Sequence, residues 1–167
     1  FGHAALCQAG SWIGSLNTLE AGFGYWFLTP LDNTLEFSYP QPPPPDPTFL
    51  ARKKNNTQIV PEVFSYNKST QQAFYFIEDL QLTDGIISDS DWIIAYHGET
   101  VIGARLWNGQ YTDIPAMGNN GTDATKYYAE SGIMPHFKLF RTHNNELIDL
   151  EVQNTPPWEN LGLFIIS

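Results

Sequence analysis

DWIIAYHGETVIGARLWNGQYTDIPAMG, running from Asp91 to Gly118, holds the strongest strand and turn signals in the chain. Two apolar runs, Trp92 to Tyr96 and Val101 to Leu106, are separated by His97-Gly98, and a second break at Asn108-Gly109 leads into Gln110 to Ile114. Asn-Gly marks hairpins because a type I′ turn needs φ > 0 at both central residues, which Asn and Gly tolerate best. His-Gly is a weaker version of the same signal. The pattern predicts a three-strand meander with Trp92, Tyr96, Trp107 and Tyr111 near strand ends or turns.

On either side the same pattern continues. Ile59 to Ser65 and Gln72 to Leu80 read as strands, the second carrying Phe74-Tyr75-Phe76-Ile77, an apolar run suited to burial on both faces. Downstream, a polar stretch holds one short helix around Ala124 to Glu130. His136 to Thr142 and Glu146 to Val152 alternate as strands about a turn at Asn144-Asn145, and Leu161 to Ile166 closes the series. Short strands separated by turn signals at close spacing predict an all-β fold: an antiparallel β-sandwich, jelly-roll or immunoglobulin-like, over residues 58–167.

YPQPPPPDP, Tyr39 to Pro47, lies upstream of this region. Consecutive prolines fix φ and remove backbone donors, so residues 40–57 read as a proline-rich linker of polyproline II character. Arg52-Lys53-Lys54 within it is the one basic cluster. Residues 1–39 then form a small N-terminal β segment whose glycines suggest turns between short strands, with Tyr25 to Leu28 an aromatic strand and Leu35 to Tyr39 another. About 40 residues are too few for a secure core of their own, so this piece is expected to pack on the rest of the chain or on sequence lost upstream. The first residue, Phe1, is not an initiator methionine, and processing or truncation is the expectation.

With 18 acidic and 8 basic residues, the 167-residue chain carries a net charge of −10. That balance argues against nucleic acid, whose binding rests on Lys and Arg neutralising phosphates. No apolar run approaches the roughly 20 residues that cross a bilayer, so no membrane insertion is expected. Cys7 is the only cysteine, which excludes an internal disulfide and a multi-cysteine metal site.

The stretches STQQAFYFIEDLQLTDG, DWIIAYHGETVIGARLWNGQYTDIPAMGNNGTD and SGIMPHFKLFRT, with PWENLGLFII near the end, resemble a β-module recurring in large secreted surface proteins of marine bacteria and in some marine phage structural proteins. SWIGSLNTLEAGFGYWFL resembles the end of a separate module that often precedes it. The resemblance implies a non-catalytic building block, extracellular, on a cell surface or on a virion. Within that resemblance, carboxylates are common where this chain has Asn119 and Asn120, and a cysteine is common where it has Val101.

Three sites are candidates from the residues themselves. Asp113, Asn119, Asn120 and Asp123 supply the oxygen ligands that calcium takes six to eight at a time, and calcium is the one cofactor considered. The bland alternative is an Asx turn, since Asn and Asp side chains bond their own backbone. Trp92, Tyr96, Trp107 and Tyr111 offer flat rings for a glycan if they share an exposed face, against the alternative that they are core. Arg105 sits inside an apolar run and needs a partner; a structural ion pair with Asp91 is expected, with Asp113 the other choice.

The nucleophile elbow, P-loop, dinucleotide glycine pattern and His-Glu-x-x-His are all missing from the sequence, so no enzyme is expected. Cys7 near His3 lacks an orienting acid, and Glu78-Asp79 are adjacent on a strand and so point apart. The sequence therefore predicts a structural or surface module, a decoration, fibre or adhesin subunit, whose edges are completed by neighbouring protein subunits. A carbohydrate-binding module for attachment to glycans is the rival of a different class.

Overall fold

The computed structural model describes residues 2–20, 23–29, 59–83 and 85–167. Leu35 to Tyr39, the proline linker and the Arg52-Lys53-Lys54 cluster lie outside the described residues. Two compact units emerge, Phe1–Asn17 together with Ile59–Ser167, and Thr18–Gln58.

In the first unit, β1 (Ala5–Gln8) and β2 (Ser11–Gly14) form a hairpin. Seven strands then build the sandwich: β3 (Gln72–Ile77), β4 (Trp92–His97), β5 (Thr100–Leu106), β6 (Thr112–Met117), β7 (His136–Arg141), β8 (Glu146–Leu150) and β9 (Leu163–Ile166). They divide into a three-stranded sheet, β6-β3-β9, and a four-stranded sheet, β5-β4-β7-β8. All pairings are antiparallel except β3 with β9, which run parallel with Phe74 opposite Leu163. The fold is an all-β sandwich. Its first strand, β3, lies between β6 and β9, whereas the first strand of an immunoglobulin sandwich pairs with the second.

Alternation along each strand explains the layers. Ala73, Tyr75 and Ile77 of β3 face Ile93, Ala95, Phe137 and Leu139 of the other sheet in one continuous core. Phe74 and Phe76 point the other way, where the β1/β2 hairpin covers them with Ala4, Leu6 and Ile13. The outer face of the four-stranded sheet is covered as well: Phe64 packs on Trp92, Ile94 and Tyr96, and its ring meets Phe140 edge-on at 4.9 Å. Each sheet thus has both faces against other parts of the chain, which is why the Phe74 to Ile77 run tolerates four apolar residues in succession.

The expected meander does not form. β4 and β5 do make a hairpin, with Gly98-Glu99 as its two-residue loop and positive φ at Gly98. After Asn108-Gly109, however, the chain turns a corner, with φ of 83° at Gly109 and 61° at Tyr111, and β6 joins β3 in the opposite sheet. Thr112 holds this corner, its Oγ1 accepting from the Asn108 amide and donating to the Gly109 carbonyl.

Other differences have local causes. Ile59 to Ser65 contains a single 3-10 turn, Glu62–Phe64, started by Pro61, which has no N–H to offer a sheet. The helix expected around Ala124 is one 3-10 turn, Asp123–Thr125. Residues 1–39 do not stand together: Gly2 to Asn17 belong with the sandwich, so of the two packing alternatives the hairpin takes the rest of this chain. In the second unit, Tyr25 to Leu28 form no strand. The Tyr25 hydroxyl instead accepts the Glu20 amide, and Trp26 and Leu28 are exposed.

Candidate functional site

The buried charge lies at the seam between hairpin and sandwich. Asp113, on the outer face of β6 opposite Phe76, is 1% exposed. Its Oδ2 accepts from the Ala4 amide (3.1 Å), the Ser15 hydroxyl (2.8 Å) and the Arg105 guanidinium (3.1 Å). Arg105 also donates through Nε to the Asp113 carbonyl at 2.7 Å and through Nη2 to the Gly2 carbonyl. A buried charge must be matched by charge and hydrogen bonds together, and here one carboxylate and two carbonyls do so.

The expected Arg105–Asp91 pair is therefore corrected to Arg105–Asp113. Asp91 is equally buried, but its oxygens are occupied elsewhere. Oδ1 accepts the Thr142 amide and hydroxyl, and Oδ2 the Ser88 amide, so Asp91 ties the start of β4 to the end of β7 as a neutral-donor cap.

The four proposed calcium ligands are not brought together. Asp113 belongs to the seam, whereas Asn119, Asn120 and Asp123 lie in the loop after β6, with a strand rise of about 3.4 Å per residue between. Asn119 Oδ1 accepts the Gly121 amide, and its Nδ2 donates to Glu130. Asn120 Oδ1 accepts from the Thr122 amide and from the hydroxyls of Thr122 and Thr125. These are Asx turns, and the same side-chain bonds compete with the helix expected there. Among the described residues no group of three His, Cys, Asp or Glu is placed to hold a metal.

Nor do the four aromatics share a platform. Trp92 and Tyr96, at 7% and 8% exposure, lie under the segment that carries Phe64. Trp107 packs against the inner core, and Tyr111 against the hairpin cluster with its hydroxyl on Glu78. The rings fall into three clusters. Beside Tyr96, His136 stacks at 5.4 Å, and burial first, then Lys138, pushes its pKa below the ordinary histidine value.

One arrangement resembles catalytic machinery and differs in the position of its protons. His3 Nδ1 lies 2.8 Å from Ser15 Oγ, which in turn donates to Asp113. A serine hydroxyl has one proton, and the Asp113 carboxylate accepts it, so Ser15 has none to give to His3. A general base would need the reverse. Burial, followed by Arg105, lowers the His3 pKa and favours this neutral ring. Cys7 is a free, exposed cysteine of β1, and Glu78 and Asp79 bond separately to Tyr111 and Gln81.

A surface groove of about 680 Å³ lies at the other side of the sandwich, between the ends of β8 and β9. Leu80, Leu82, Ile148, Leu150, Val152 and Ile166 supply its apolar lining. Asp79, Asp149 and Glu151 also line it, and no Lys, Arg or His among the described residues does. β8 and β9 are the terminal strands of their sheets, so the groove runs beside two backbone edges. Sequence reasoning passed over this site, although its signal is visible: Ile148-Asp149-Leu150-Glu151-Val152 alternates aliphatic with acidic side chains.

No protein-family model matches the chain, and no curated protein and no solved structure matches it. No helix among the described residues is long and apolar enough to cross a membrane.

Proposed function

We propose that this chain is a non-catalytic structural module that joins neighbouring protein subunits in an extracellular, cell-surface or virion assembly. One observation supports the reading above others: the chain covers the outer faces of both sheets itself, yet among the described residues no strand pairs with the outer edges of β8 and β9, which lie beside an aliphatic groove. An uncovered edge next to apolar surface is a template for pairing with another chain. The buried polar groups of the seam, by contrast, are consumed by internal bonds. Carbohydrate binding gains nothing from the four aromatics, which lie in separate clusters.

Light scattering over a wide concentration range, with and without a calcium chelator, together with glycan-array binding, tests the reading. Mass that grows with concentration, without glycan binding, is the expected result for self-assembly. A monomer throughout confines the role to assembly with other proteins. Glycan binding that disappears in Trp107→Ala, with the fold retained, overturns it.

A further inference from the structure

On β8, Ile148 and Leu150 point to the core side and Leu147 and Asp149 to the other, as strand alternation requires. β8 pairs with β7 along one edge, through Phe137 to Leu150 and Arg141 to Glu146. Its other edge has no strand partner among the described residues. A strand laid there would carry the same alternation, with one set of side chains entering the groove over Ile148, Leu150 and Ile166 and the other set meeting Asp149 and the carboxylates beyond it. Asp149 has Lys138 at 2.8 Å, whereas Asp79 and Glu151 have no ion-pair partner among the described residues.

We propose that the β8 edge and its groove receive an extended strand from a different protein, one whose residues alternate apolar and basic. This rests on the assembly reading and names the chemistry of the partner. Asp79 and Glu151, the lining carboxylates without an ion-pair partner among the described residues, select positive charge, while the aliphatic lining selects branched or aromatic side chains at every second position. A second copy fits poorly. Its own β8 carries Glu146 and Asp149 and no Lys or Arg, so it offers nothing basic to Asp79 and Glu151. With only five residues, β8 calls for a partner segment of similar length.

Two synthetic heptapeptides test the proposal on the intact chain, one alternating lysine and valine, the other glutamate and valine. Amide chemical shifts are followed by NMR up to about 1 mM peptide, a range that covers weak strand addition. The basic peptide is expected to shift residues 79–83 and 146–153 and to be weakened by salt, with the acidic peptide inert. In a chain carrying Asp79→Lys and Glu151→Lys, affinity for the basic peptide should fall at least about tenfold and the acidic peptide should begin to bind. Both positions are polar and lie at the groove, and the thermal transition of the variant checks that it folds. Equal binding of the two peptides, shifts confined to other regions, or no binding overturns the proposal. A chain shown to be glycan-directed that still takes the basic peptide removes the assembly reading and leaves this one standing. A self-assembling chain that ignores the peptide does the reverse.

Discussion

Along its β5/β6 side the sandwich is closed by backbone against backbone, whereas along its β8/β9 side the gap is spanned by aliphatic side chains and a hydrogen bond from the Gln153 amide to the Ser167 carbonyl. At the closed side a Cβ on Gly103 would lie 1.6 Å from the Pro115 carbonyl oxygen, so only glycine permits the approach. Arg105 then clamps β5 to β6 through both the side chain and the backbone of Asp113. The difference follows from chain order. β5 and β6 are consecutive and change sheets through one tight corner, while the stretch between β8 and β9 contains Pro156-Pro157, which bring no donors to a ladder. One side is sealed by sequence neighbours, and on the other no further strand pairs with β8 or β9 among the described residues.

Gly103→Val should break the closed side outright. The clash is with main chain rather than with a side chain that can move, so the cost should exceed the usual 1–3 kcal/mol of overpacking by a wide margin, to about 5 kcal/mol or loss of folding, read by urea unfolding. Asp113→Ala should come next. It leaves the Arg105 guanidinium without its carboxylate and the Ala4 amide without its acceptor, at a cost of about 3 kcal/mol, and amide exchange should rise first in β1 and β2.

Acidification should act on the same seam more gently. The His3 pKa is lowered in the folded state, so the unfolded chain binds more protons just below the ordinary histidine value of 6.5. Hairpin stability is therefore whole above about pH 6.5 and declines as pH falls through that value. His136 is lowered in the same direction, so the comparison must be made at the hairpin amides, where His3→Gln should flatten the decline. Smallest of all should be Glu151→Gln on the open side, within about 0.5 kcal/mol of the parent in thermal unfolding. A large loss there would show that the open side is a stability element and erase the distinction.

Much of the fold was legible because strand signals are local. Phe74 to Ile77 read as doubly buried, and Glu146 to Val152 as alternating. Which sheet each strand joins was not legible, because Asn108-Gly109 looks the same in a hairpin as in a corner; the bonds of Thr112 make the difference, and they are tertiary. The candidate site was harder still. Arg105 announced that it needed an acid, but Asp91 and Asp113 both ended up buried, and only three-dimensional placement tells which receives amides and which receives the guanidinium. The groove was missed because an alternating strand reads as ordinary until its neighbours are known.

The parallel pairing of β9 with β3 also bears on how the chain folds. β3 needs two partners, and the second lies about ninety residues later in the sequence. Until Leu163 to Ile166 are in place, the β9 flank of β3 has no ladder partner among the described residues. Contacts this distant form slowly, because loop closure comes before any reward. A chain cut before Leu163 would therefore leave Phe74 to Ile77 with only the β6 half of their ladder, and such an unpaired flank invites aggregation.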